Sequence, residues 1–235
     1  MTTTESWRRV TATALVLGLG MAVITSACDS SGGEDGPEQP GSAGIEAGGE
    51  PADPPGSPAI PGVRFTATLE VVDDAVHVDY VLTNDSSTEV HVPNRIGRGD
   101  AYGRITQDPN FAYATGTGDG GVTLSKRVFA TPDTDQKSWA QAPTVGVSTL
   151  APGDRLKESL VVPLPLERHQ PWGNDYGFGE VSLPDPVDHV RFCLGVLPAP
   201  LPPAAALEKD DGRQVSHGNV VTEAQHVYCS EPLEL

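Results

Sequence analysis

The stretch "VRFTATLEVVDDAVHVDYVLTN", residues Val63 to Asn84, decides the fold. Val63, Phe65, Ala67, Leu69 and Val71 fall on one face, with Arg64, Thr66, Thr68 and Glu70 on the other. After the acidic pair Asp73-Asp74 the alternation resumes, with Val76, Val78, Tyr80 and Leu82 set against His77, Asp79 and Val81. A period of two is the signature of a strand with one buried and one solvated face, and the acidic pair supplies a hairpin turn. Asn84-Asp85-Ser86-Ser87 is a second turn cluster, after which "TEVHVPN" alternates again through Val90 and Val92.

Working outward, the same reading marks strands at 122–130, 155–164, 187–197 and 220–230, separated by turn signals such as Ala151-Pro152-Gly153-Asp154. The chain carries 26 glycines and 22 prolines, which argues against a helical bundle and for many turns. The expected fold is all-β: an antiparallel, immunoglobulin-like β-sandwich over residues 62–235, with long loops at 94–121, 131–147, 165–186 and 198–218.

The segment before it has other properties. Arg8 and Arg9 precede an apolar run from Val10 to Ile24, shorter than the roughly 20 residues of a spanning helix and suited to a signal-peptide core. Thr25-Ser26-Ala27-Cys28 then resembles a bacterial lipobox. That resemblance implies a lipoprotein signal peptide over 1–27 and acylation of Cys28, the anchor by which membrane lipid becomes the chain's first partner. It also implies a location on the outer face of the bacterial cytoplasmic membrane. Residues 28–61 are rich in Gly, Pro, Asp and Glu and hold no Lys, Arg or aromatic residue. Such a composition cannot offset the entropy of ordering and reads as a tether with an r.m.s. span of roughly 30 Å.

The run "LEVVDDAVHVDYVLTNDSSTEVHV" and the later "STLAPGDRLKESLVV" resemble immunoglobulin-like domains of extracytoplasmic bacterial proteins, including the BsuPI-like proteinase-inhibitor domain. The resemblance implies the sandwich. As a second function it implies proteinase inhibition through an extended loop at 94–121 or 165–186.

With Cys28 acylated, Cys193 and Cys229 remain, both in strand patterns and in an oxidising compartment, which favours a disulfide. Closing a loop of about 37 residues contributes roughly 4 kcal/mol in the chain-entropy account. Two buried thiols are the alternative.

Lys plus Arg number 15 against 32 Asp plus Glu, a net charge of -17, so the chain repels nucleic-acid phosphates and no nucleic-acid partner is expected. The sequence holds no hydrolase, metalloprotease or P-loop motif. "GTGDGG" (116–121) leads into a strand and reads as a loop. His77 and His91 read as surface histidines. Asp133-Thr134-Asp135 and Asp210-Asp211 read as solvated loop charge, so no metal and no cofactor are expected. Trp172, Tyr176 and Phe178, set among glycines in "QPWGNDYGFGE", are the candidate ligand-binding residues. The function expected is binding to an extracytoplasmic protein or ligand, without catalysis; an enzyme built from distant loops is the least favoured class.

Overall fold

A computed structural model describes residues 58–99, 105–203, 206–209 and 212–235. The signal segment, Cys28 and the tether up to residue 57 lie outside the described residues. In chain order the elements are β1 (Val63–Val72), β2 (Ala75–Asn84), β3 (Val90–Gly99), β4 (Ile105–Asp108), β5 (Tyr113–Gly116), β6 (Gly121–Lys126), β7 (Thr144–Leu150), β8 (Arg155–Pro163), β9 (His189–Pro198), β10 (Ala206–Lys209), β11 (Gly212–Ser216), α1 (Asn219–Ala224), β12 (His226–Cys229) and β13 (Leu233–Glu234).

The β1–β2 hairpin forms as its alternation requires. Val72 pairs with Ala75, and Asp73 and Asp74 both take positive φ, 49° and 58°, the two-residue turn whose twist matches the flanking strands. β8 pairs along the other edge of β2, giving a small sheet in the order β1-β2-β8. The larger sheet runs β10-β11-β7-β3-β9-β6-β5, with β12 and β13 also on β9 and β4 on β3. The two sheets enclose one core, built on Val76, Val78, Leu82, Val90, Val92, Leu124, Leu160, Phe192 and Leu194. The all-β sandwich is therefore present.

Three features depart from the sequence reading. The larger sheet is mixed, because β6 and β9 run parallel, Gly121 opposite His189 through Lys126 opposite Leu194. Parallel neighbours need a long crossover, and here the chain passes through β7, β8 and residues 165–186 between them. Second, residues expected in long loops form β4, β5, β7, β10 and β11. Third, the run expected as a strand over 220–230 is a helix to Ala224 before β12 begins. β-branched Val220, Val221 and Thr222 favour a strand, but tertiary bonds override them. The Gln225 side chain accepts from the Val128 N–H at 2.7 Å and donates to its carbonyl at 3.1 Å.

The larger sheet is covered on both faces. Its second face packs a separate core of Ile96, Tyr113, Val128, Phe129, Val145, Trp172, Tyr176, Leu197, Val215 and Val221. This explains why β6 is buried at every position. The body also begins earlier than its composition indicates, for the Ile60 N–H donates to the Tyr228 hydroxyl at 2.8 Å. Cys193 and Cys229 sit directly opposite in the β9–β12 register, Cα atoms 4.1 Å apart, and are joined by a disulfide.

His217 locks the second core. Its Nδ1 accepts the Phe129 N–H at 3.0 Å, so the proton of the neutral ring lies on Nε2 and is donated to the Tyr113 hydroxyl 3.1 Å away. Burial, with Arg127 adding a smaller effect, pushes its pKa down to about 3. His91 and His169 are lowered in the same direction, chiefly by burial. Below the unfolded value near 6.5 the unfolded chain binds protons that the folded chain refuses, so stability is lost as pH falls from about 6.5 toward 3. Denaturant titrations across that window should show a decline of up to about 1.4 kcal/mol per pH unit from His217 alone. The slope should flatten in His217→Gln, whose amide can make both bonds.

Candidate functional site: a cleft above a buried polar seam

Alternation predicts apolar residues at the inward positions of each strand, and four strands break the rule at one place. On β6 the inward series Val122, Leu124 ends in Lys126. On β8 it runs Leu156, Glu158, Leu160. On β2 Tyr80 stands between Val78 and Leu82, and on β3 Val90 and Val92 are followed by Asn94. Lys126 and Asn94 are fully buried, Tyr80 nearly so, and Glu158 retains 12 % side-chain exposure.

The register brings these residues together, with Tyr80 directly opposite Glu158. Lys126 Nζ lies 3.0 Å from Glu158 Oε2, and Asn94 Nδ2 donates to the other oxygen, Oε1, at 2.8 Å. The Tyr80 hydroxyl also donates to Oε2, and Lys126 donates to the Pro109 carbonyl. Lys126 Nζ stands 5.2 Å from the centre of the Tyr80 ring. Burial holds the Lys126 amine below the ordinary lysine value, with Glu158 opposing. Burial and the Glu158 charge together raise the Tyr80 phenol, so it stays protonated and remains a donor.

A bulge aims Asn94. Between Val92, opposite Ser148, and Arg95, opposite Gly146, the β3–β7 register shifts; Pro93, which has no N–H to give the ladder, sits in that bulge. The Ser148 N–H then donates to Asn94 Oδ1 at 3.2 Å. Both ends of the Asn94 amide are thus engaged.

Above the seam opens a cleft of about 450 Å³ lined by Arg95, Thr106, Gln107, Pro109, Val147, Gly212 and Arg213. Pro109 belongs to both, lining the cleft while its carbonyl binds Lys126. Arg95 also links them, its guanidinium 3.6 Å from Glu158. Gly146 makes room for the cleft wall: a Cβ there would lie 2.0 Å from Gln107 Oε1 and 2.7 Å from Arg95 Cβ.

None of the candidates read from the sequence lines this cleft. Trp172 and Tyr176 turn inward, 4 % and 1 % exposed, as part of the second core; Phe178 alone reaches solvent, at 41 %. The Trp139 indole meets Trp172 edge-on at 5.3 Å and donates to its carbonyl at 3.0 Å, and Arg168 donates to the Tyr176 hydroxyl at 2.6 Å. His91 is buried, not on the surface, and bonds Thr149 Oγ1 at 3.0 Å; it sits in the opposite sheet from His77. The Gly-rich residues 116–121 close the β5–β6 hairpin. Among the described residues no three His, Cys, Asp or Glu gather as metal ligands, and no helix is long and apolar enough to cross a membrane.

Lys126 and Glu158 were visible in the sequence as charged residues within strands read there, whereas Asn94 fell in a stretch expected as a loop. No protein-family model, curated protein or solved structure matches the chain, so the reading of the site rests on its own chemistry. Replacing Gly146 with Val should displace the Gln107 and Arg95 side chains and lower stability by about 1–3 kcal/mol through overpacking. Urea unfolding curves of the two proteins would measure the loss.

Proposed function

We propose that the chain is a lipid-anchored, extracytoplasmic binding module whose cleft receives an oxyanion, a carboxylate or phosphate carried by its ligand. Acylation at Cys28 would supply two chains through a diacylglyceryl group, enough for stable anchoring. The segment 28–61 would hold the body off the outer face of the cytoplasmic membrane. An acidic protein gains nothing from electrostatic attraction to anionic lipid, so the covalent anchor carries that task alone.

The observation that supports the ligand class is the convergence of Arg95 and Arg213 on one cleft in a chain of net charge -17. Guanidinium groups present planar, paired donors that match carboxylate and phosphate oxygens, and their charge persists at every physiological pH. Thr106 and Gln107 add neutral hydrogen-bonding groups to the same lining, and Val147 and Pro109 add an apolar wall. A net-acidic chain disfavours non-specific anion binding, so an anion bound here would be selected by the groups that line the cleft.

Calorimetric titration of the mature protein with citrate and with inorganic phosphate at low salt tests this. Saturable binding should weaken at least tenfold, about 1.4 kcal/mol, in Arg213→Ala, and Cys28→Ser should move the protein from the membrane fraction to the medium. Absence of binding to either anion, or affinity unchanged in Arg213→Ala, contradicts the proposal for the cleft. A Cys28→Ser protein that stays with the membrane contradicts the anchor.

A further inference from the structure

The seam brings a third group to its ion pair. A buried lysine needs one counterion, and Glu158 supplies it. Yet the same carboxylate also holds the side-chain amide of Asn94 on its second oxygen, so that an amine and a carboxamide are bound to the two oxygens of one carboxylate, both on fully buried side chains. From this arrangement we propose that Lys126 and Asn94 join in an intramolecular isopeptide bond, with Glu158 as the acid–base group and the Ser148 N–H as the oxyanion donor.

The chemistry balances without any added reagent. Glu158 takes a proton from the Lys126 ammonium, leaving a free amine. The amine lone pair forms a bond to Cγ of Asn94, and the electron pair of the C=O bond moves to Oδ1, where the Ser148 N–H already donates. As the tetrahedral centre collapses, the C–Nδ2 bond breaks. The leaving nitrogen keeps its two hydrogens and gains the one shed by the attacking amine, relayed through Glu158. It departs as ammonia, which takes the remaining proton as ammonium and restores the carboxylate. One amide replaces another, nothing is oxidised or reduced, and one ammonia is lost.

Each required feature has a residue behind it. Burial favours the neutral amine. The flexible lysine stem lets Nζ swing from Oε2 onto Cγ, while strand pairing fixes the backbones that carry the two groups, the condition under which intramolecular reactions gain most. Glu158 touches both the entering and the leaving nitrogen, as a proton relay must. Asn94, not Glu158, is the acyl donor, because a carboxylate is unreactive toward an amine and a carboxamide expels a neutral molecule. The bond would close the chain from residue 94 to residue 126, a loop holding Thr106, Gln107 and Pro109 of the cleft, and so would fix the binding wall covalently as the disulfide fixes β12.

Intact and peptide mass spectrometry of the folded, mature protein decides the matter. The expected result is a chain lighter by one ammonia than its sequence requires after the disulfide and the N-terminal modification are counted, with a branched peptide joining the segments that hold Asn94 and Lys126. The branched peptide should be lost completely in Asn94→Ala and in Glu158→Gln. The wild-type measurement stands alone should either variant fail to fold. A full-mass chain with Asn94 and Lys126 in separate linear peptides overturns the proposal. So does deamidation of Asn94 without a branch, since water and not Lys126 would then be the nucleophile. A branched peptide persisting in folded Glu158→Gln overturns the role given to Glu158.

Discussion

The Lys126–Glu158 pair sets the terms on which the two sheets meet. Glu158 belongs to the small sheet and Lys126 to the large one, and their 3.0 Å contact spans an interior that is otherwise apolar apart from the Tyr80 hydroxyl and the Asn94 amide bonded to Glu158. Taking two charges out of water costs several kcal/mol for each, and their attraction offsets this only where further hydrogen bonds complete the geometry. Tyr80, Asn94 and the Pro109 carbonyl supply those bonds, and the Arg95 guanidinium adds its charge 3.6 Å from Glu158. Once the pair is accepted, its partners are fixed: a phenol opposite the carboxylate, a bulge to turn Asn94 inward, and a backbone carbonyl from the end of β4 to cover the amine. The cleft follows, because Pro109 and Arg95 serve the seam from one side and line the cleft from the other.

The second constraint is that the large sheet is buried on both faces. A sheet with one face in water can alternate; one covered twice cannot, and β6 and much of β9 read as continuous buried runs. The cover comes from segments 127–143 and 165–186 and from α1, which spend their aromatic residues on the second core. Trp172 and Tyr176 are the clearest instance, large rings drawn inward to cap β-strand surface. This is why the cleft at β3, β4, β7 and β11, and not the aromatic loop, carries the convergent polar groups.

Much of this was legible in the sequence. The alternation from Val63 to Asn84 specified β1, β2 and the turn between them, and Cys193 and Cys229 pointed to the disulfide that ties β12 to β9. Strands β4, β5, β10 and β11 were hidden because four or five residues are too few to establish a period, and β7 because Gly146 interrupts it. That glycine is there for the close approach of Gln107 and Arg95, a fact only tertiary structure reveals. The parallel pairing of β6 with β9 is likewise invisible to local pattern, since it depends on where a crossover of some sixty residues returns. The site residues were harder still. Lys126 and Glu158 occupy inward positions of strands read correctly, but their meeting requires the register of two sheets at once.

A double-mutant cycle on Lys126→Met and Glu158→Leu, built in the Asn94→Ala background where no Lys126–Asn94 bond can form and followed by denaturant unfolding, tests the central claim that this pair governs the seam. Each single substitution leaves one buried charge without its partner and should cost about 3–5 kcal/mol, while the double variant, with an apolar seam of similar volume, should recover most of the loss. Single variants close in stability to the Asn94→Ala parent, or costs that simply add within about 0.5 kcal/mol in the double variant, would contradict it.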